Sequence, residues 1–210
     1  MKLYMVPAAP NPTKVMLYIA EKTAAGTEMD VEQVLVNTLK NEQKSADHLA
    51  RNPFGSLPVL EVADHDYIVE SLAIIEYLEE RFPQPAMWGN GTRERIRARE
   101  LERIADLRVL LQVGRYVHAT KSPIGLPPNP EAAMQAKQAL PVAFQYFENV
   151  LADGRALLLG DRVSVADCTL QAALQFMRFA KFDLIVGYPH LTRWDATYRQ
   201  RVAAQSVLKF

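Results

Sequence analysis

Cysteine is nearly absent from this chain: Cys168 stands alone in 210 residues. A single cysteine excludes an intrachain disulfide framework and a thiolate metal cluster, and it leaves no Cys-x-x-Cys redox pair. The four histidines, His48, His65, His118 and His190, lie far apart without metal-ligand spacing. There is no Gly-rich phosphate loop, internal repeat or low-complexity tract. No window approaches an uninterrupted apolar span of membrane length, and no long apolar signal segment follows Lys2. Net charge is missing too, since 24 Lys and Arg balance 24 Asp and Glu. That balance argues against a nucleic-acid partner. The expectation is a chain with no metal, no membrane and no nucleic acid, in a reducing compartment, the cytoplasm.

What is present suffices for a substantial core. The apolar fraction of 49% is ordinary for a globular protein. The length fits one large domain or two small ones. The charge balance hides an asymmetry. Residues 1–82 carry 7 Lys and Arg against 13 Asp and Glu, and the remainder 17 against 11. Opposite signs fit two compositional units that attract across an interface.

The most informative stretch runs from Asn52 to Pro83. Asn52-Pro53-Phe54-Gly55-Ser56 is a turn cluster. Leu57-Pro58-Val59-Leu60-Glu61-Val62 reads as a strand with proline at its start or edge, because proline has no N–H to donate. Asp64-His65-Asp66 turns into a second strand, Tyr67-Ile68-Val69. Glu70-Ser71 then opens a helix with Leu72, Ile75, Leu78 and Phe82 on its apolar face. A hydroxyl at that join can cap free N–H groups, and a helix N-terminus with free donors is an anion site.

The chain before this stretch reads as a strand at Leu3–Val6, an open loop at Pro7–Pro12, a helix from Thr13 to about Lys22, a strand at Val31–Val36, a polar loop, and a short helix at Ser45–Arg51. The order fits a βαβ unit joined to a hairpin and a packing helix. Residues 83–91, rich in proline and glycine, form a linker. Beyond it the β signals stop. A long helix is expected from Arg93 to about Ala119, with Ile96, Leu101, Ile104, Leu107 or Arg108, Leu111 and Val117 at helical spacing. Asn129-Pro130 opens a helix to about Leu151 that Pro141 kinks or breaks. Ser164-Val165-Ala166-Asp167 has capping-box spacing. Helices through Met177 and from Tyr188 to about Arg201 complete an all-helical second domain.

Leu57-Pro58-Val59-Leu60, Glu70-Ser71 and Gly160-Asp161…Ser164-Val165-Ala166-Asp167, in this order, resemble the glutathione S-transferase family, and the resemblance covers nearly the whole chain. It implies a thioredoxin-like α/β domain at 1–82, the linker, and an all-helical domain at 92–210. It also implies glutathione as co-substrate, a small-molecule electrophile and a homodimer. By the same resemblance Leu57 and Pro58 present a backbone edge to the tripeptide. Glu70 and Ser71 take its γ-glutamyl end, and Gln43 or Lys44 its glycyl carboxylate. The first loop lacks the usual Ser, Cys or Tyr; it resembles a bacterial subgroup with Asn at this position, from whose pattern Ala9 departs, and this implies Asn11 as first and Thr13 as second thiolate stabiliser. Ala9, Leu111, Arg115 and Tyr116, with Gly114 and His118, are expected to line the electrophile pocket between the domains. The implied reaction is thiolate attack on an electrophilic carbon. A glutathione-dependent peroxidase or disulfide reductase, or a non-enzymatic binding protein on the same fold, remains an alternative.

Overall fold

The computed structural model describes residues 1–209. A four-stranded sheet, ordered β2-β1-β3-β4, is built from β1 (Lys2–Met5), β2 (Glu32–Leu35), β3 (Val59–Ala63) and β4 (Asp66–Val69). β1 and β2 pair in parallel, Lys2 opposite Glu32, through the crossover helix α1 (Pro10–Ala24). β3 runs antiparallel to both β1 and β4. The short helix α2 (Ala46–Arg51) precedes β3, and α3 (Ser71–Arg81) follows β4. This is the thioredoxin-like arrangement, and the rest of the chain is helical.

Three departures from the sequence reading have local causes. First, α1 starts at Pro10, not Thr13. Prolines fit a first helical turn because the N–H groups there have no intrahelical partner. Second, Ser71 is the first helical residue and not the cap, a place taken by Glu70. Third, the long helix is not uniform. α4 (Thr92–Ile104) passes through a wide π-helical turn at Ala105–Leu110 into α5 (Leu111–Lys121). Its buried face is Ala98, Leu101, Ala105, Val109, Val113 and Val117, mostly steps of four. Steps of four outrun the 3.6-residue α period, and the wider i→i+5 turn absorbs the excess. Ile96, Leu107 and Leu111, expected inside, are therefore 62%, 43% and 39% exposed.

The remaining helices are α6 (Pro130–Val150), α7 (Val165–Phe179), α8 (Pro189–Tyr198) and α9 (Val202–Val207). Pro141 sits inside α6 without ending it. The capping box at α7 is complete. Ser164 Oγ accepts from Asp167 N–H, and Asp167 accepts from Ser164 N–H at 2.9 Å. Asp167 also accepts from the Leu158 N–H at 2.9 Å and from Trp194 Nε1–H at 3.2 Å, so one buried carboxylate ties a loop, α7 and α8 together. Burial pushes its pKa up to about 6, while these donors hold it down.

One hydrophobic core runs through both halves, from Leu3 and Ile75 to Phe144 and Leu174. α7 is its axis and packs against α1 and α4. The expected linker is docked, with Met87 and Trp88 buried. Glu79 accepts from Met87 N–H at 2.6 Å, and the Lys22 ammonium donates to the carbonyls of Phe82 and Pro85. The halves are also joined by Arg201, bidentate on Glu21 at 2.7 Å. At the centre of the interface Lys14 of α1 lies 3.4 Å from Glu102 and 3.3 Å from Asp106, with Lys14 and Glu102 almost wholly enclosed. Burial pushes the Glu102 carboxyl above its ordinary value, and Lys14 pulls it back.

Breaking a buried pair strands a charge and costs more than the pair contributes. Lys14→Met should therefore lower the unfolding free energy by about 3–5 kcal/mol in urea titrations. Lys14→Met with Glu102→Leu should lose less than half of that. Equal losses would mean that the pair's packing, and not its charge, matters.

Candidate active site

Two helix N-termini meet at one edge of the sheet, and neither has a side-chain cap. Helices α2, α6 and α7 are capped by Ser45, Asn129 and Ser164; α4, α8 and α9 are uncapped like α1 and α3, but α8 gives two N–H groups to Glu148. An uncapped N-terminus keeps its donors for something else. The two ends differ. The first turn of α1 is Pro10-Asn11-Pro12, so proline removes two donors, and the Thr13 N–H is bonded to Ala9 O at 2.9 Å. Only Asn11 contributes a backbone N–H from that turn. In α3 the first helical bond is Ile74 N–H to Glu70 O at 3.0 Å, which leaves the N–H groups of Ser71, Leu72 and Ala73 ahead of it. The first turn carries no acid. The Ser71 hydroxyl donates to Asn11 Oδ1 at 3.3 Å and bridges the two ends.

The backbone is strained on both sides of this bridge. Glu70 holds φ 70°, ψ 119°, and Ala8 holds φ 66°, both at positive φ without being glycine. Such conformations cost about 1–3 kcal/mol each and persist where the surroundings impose them. Leu57 precedes the paired part of β3, whose registered pairs begin at Val59, and its bond to Pro58 is cis.

A largely apolar cavity of about 440 Å³ opens beside the bridge. One wall comes from the Val6–Pro10 loop, Thr38, Leu39, Gln43 and Gly55–Leu57; the other from His118, Pro123, Ile124, Phe176 and Phe179. Gln43 is buried, and its Oε1 has no hydrogen-bond partner among the described residues. A buried amide oxygen left unpaired costs free energy unless a ligand or water meets it. His118 Nδ1 and Ser122 Oγ are 3.0 Å apart, and the ring lies 5.7 Å from Phe176. Burial lowers the pKa of His118 below its ordinary 6.5, so the imidazole is neutral at pH 7.

Of the candidates read from sequence, Ala9, Gln43 and Leu57 line this cavity. Asn11 and Ser71 form the bridge, Glu70 is exposed at the strained turn, and Pro58 is buried next to Leu57. Lys44 is exposed and off the cavity wall, and Thr13 is buried within α1. Leu111, Arg115 and Tyr116 do not reach the cavity. Leu111 and Arg115 share the face of His118, but at about 1.5 Å per residue they stand roughly two turns and one turn short of it. Tyr116 packs on Phe182, with ring centroids 4.8 Å apart. The sequence reading missed Phe176 and Phe179, stacked at 6.2 Å on α7, because an i, i+3 aromatic pair on an apolar helix looks the same whether it faces core or cleft.

Residues 1–80 match the family described as glutathione S-transferase, N-terminal domain, and residues 105–202 match its C-terminal domain. The chain is 30% identical to glutathione S-transferase 2 of Saccharomyces cerevisiae over 213 residues, covering 100% of this chain and 90% of the relative. The crystal structure of Gtt2 from S. cerevisiae superposes with a TM-score of 0.87 at 31% identity, covering 99% of this chain and 100% of that one. A glutathione S-transferase domain-containing protein from Marinobacter aquaeolei gives 0.86 at 33% identity, covering 97% and 100%.

The His118 environment has a measurable consequence. Its folded pKa lies below the unfolded value, so its contribution to stability is complete above about 6.5 and declines as the pH falls below that. NMR titration should place His118 below 6.5, and Phe176→Ala should bring it back toward 6.5. A wild-type value at or above 6.5 would show a solvated ring.

Proposed function

Because the chain belongs to the glutathione S-transferase family, we propose that it stabilises the thiolate of glutathione and delivers it to a small apolar electrophile. The observation that carries this reading is the Ser71–Asn11 bridge between two uncapped helix ends, with Asn11 following directly on Ala9 and Pro10 of the apolar cavity wall. Each part of the tripeptide has a chemical counterpart there. The γ-glutamyl carboxylate takes the first-turn N–H groups of α3 and the Ser71 hydroxyl, and Glu70 pairs with the adjacent ammonium. Leu57, ahead of Pro58, offers main-chain groups to the cysteinyl unit in the manner of an added strand. The glycyl carboxylate falls to the NH₂ of Gln43 and to Lys44.

A free alkyl thiol titrates above 8, so catalysis near neutral pH needs donors at the sulfur. Asn11 supplies its amide NH₂ and its backbone N–H. Thr13, whose N–H is spent on Ala9, holds α1 in place instead. The thiol proton leaves to solvent, and the neutral His118 on the opposite wall keeps the cleft free of a competing positive charge. The sulfur lone pair then forms the S–C bond. In a substitution, the electron pair of the broken bond leaves with the departing group. In an addition to an activated double bond, the π pair moves to the neighbouring carbon, which takes up a proton. Holding both reactants in one cleft supplies much of the acceleration. The same thiolate would serve a peroxide or disulfide reductase; the apolar lining favours a carbon electrophile. The exposed apolar residues Ile96 and Leu107 on the outer face of the long helix favour association with a second copy.

Calorimetric titration with glutathione at pH 6.5 and 8 tests the site. Wild type should bind with pH-dependent proton release, and Asn11→Ala should weaken that release. No binding at millimolar glutathione would leave a binding protein of other purpose. Glu70→Gly separates strain from function. It should keep or raise the urea midpoint, because glycine accepts φ 70° freely, while binding glutathione roughly tenfold more weakly. A lower midpoint with unchanged affinity would remove Glu70 from the site.

A further inference from the structure

A second cavity, of about 720 Å³, lies in the groove between α5 and α6. His118 lines both cavities and so stands between them. The floor of the second is made of alanines, Ala119, Ala132, Ala136 and Ala139, which leave room that larger side chains would fill. Its one fixed charge is Arg115. Arg103 is paired with Asp106, Arg178 with Asp195 and Arg201 with Glu21, whereas Arg93 and Arg108 have no partner among the described residues but line neither cavity. Arg115 has no ion-pair or hydrogen-bond partner among the described residues. The sequence around it is one-sided. From residue 107 to residue 130 there is no Asp or Glu, while Arg108, Arg115 and Lys121 all occur. This segment walls both cavities and brings no acid to them; Glu131, bonded to Gln135 at the rim of the groove, is the nearest acid in the chain that follows it.

We propose that this groove is the subsite for a carboxylate carried on the electrophile, with Arg115 as the residue that recognises it. The substrate class is then an elongated, amphipathic organic acid. Its reactive, apolar end occupies the 440 Å³ cavity, a short tether passes His118, and the carboxylate meets the guanidinium about one helical turn away. A guanidinium matches a carboxylate with two parallel N–H donors, which an isolated lysine does not. The alanine floor accepts the tether without polar contacts. The inference takes its reactive end from the transferase reading above, and adds what the far end of the substrate must be.

The probe is an aryl vinyl ketone with a carboxymethoxy tail, ethacrynic acid, set against its methyl ester. The full-length protein with glutathione should prefer the acid. In Arg115→Ala, which removes both N–H donors, the acid-to-ester ratio of kcat/KM should fall roughly tenfold or more, and Arg115→Lys should recover part of it. Arg115 is exposed, so neither variant threatens the fold. Binding of the saturated analogues, which lack the reactive double bond, reads the subsite without any turnover. Wild type should bind the saturated acid about tenfold more tightly than its ester, and Arg115→Ala should erase the difference. A missing turnover with both electrophiles would count against the transferase reading, while the binding pair would still decide the subsite. Equal binding of acid and ester by wild type, or a preference that survives in Arg115→Ala, would overturn the proposal.

Discussion

The cleft depends on how α1 is held. That helix is the crossover of the βαβ unit, so one side is fixed to the sheet, and its other side is buried against α7 and α9 of the helical half. Lys14 locks it there, with its ammonium between Glu102 and Asp106. Removing an ammonium and two carboxylates from water is costly unless they meet at short range, so the helices have one low-energy arrangement and no gradual alternatives. Arg201 on Glu21 repeats the device farther along α1. Asn11, one turn before Lys14, inherits that fixed position. The geometry of the candidate site is thereby tied to the docking of the two halves.

The site itself is made of things left undone. Among the described residues three α-helices satisfy their N-termini with Ser or Asn side chains, and the two that converge on the cleft are among those that do not. Glu70 and Ala8 sit at positive φ, and Gln43 keeps a buried oxygen without a partner. Each is a small cost in the empty protein. Together they set this cleft apart from the well-satisfied core around it. The stability needed to carry these costs comes from elsewhere, above all the continuous core and the Asp167 hub.

The charge split between the halves is used in more than one way. Glu21 with Arg201, and Glu76 with Arg99 at 3.9 Å, join acid of the first half to base of the second. Lys14 with Glu102 runs the other way, which a count of charges does not anticipate. Arg115, without an ion-pair partner among the described residues, stands apart from all of these, in a stretch, 107–130, free of acids.

The local elements were legible because they depend on neighbours in sequence. The hairpin before Glu70-Ser71, the capping box at Ser164–Asp167 and the start of α6 at Asn129-Pro130 follow from side-chain and backbone chemistry within a few residues. So did Asn11, Ser71, Gln43 and Leu57 as candidates, through the resemblance. The wide turn at Ala105–Leu110 was not legible, because it exists to keep a buried face in phase with α7, and that face is defined only by packing. Ile96, Leu107 and Leu111 were misplaced for the same reason. Which turn of α5 meets the cleft, and therefore why His118 lies there and Arg115 beyond it, was likewise decided in three dimensions. Periodicity fixes the face on which a side chain lies, but how far along the helix a neighbour crosses is set by the contacts between elements distant in the chain.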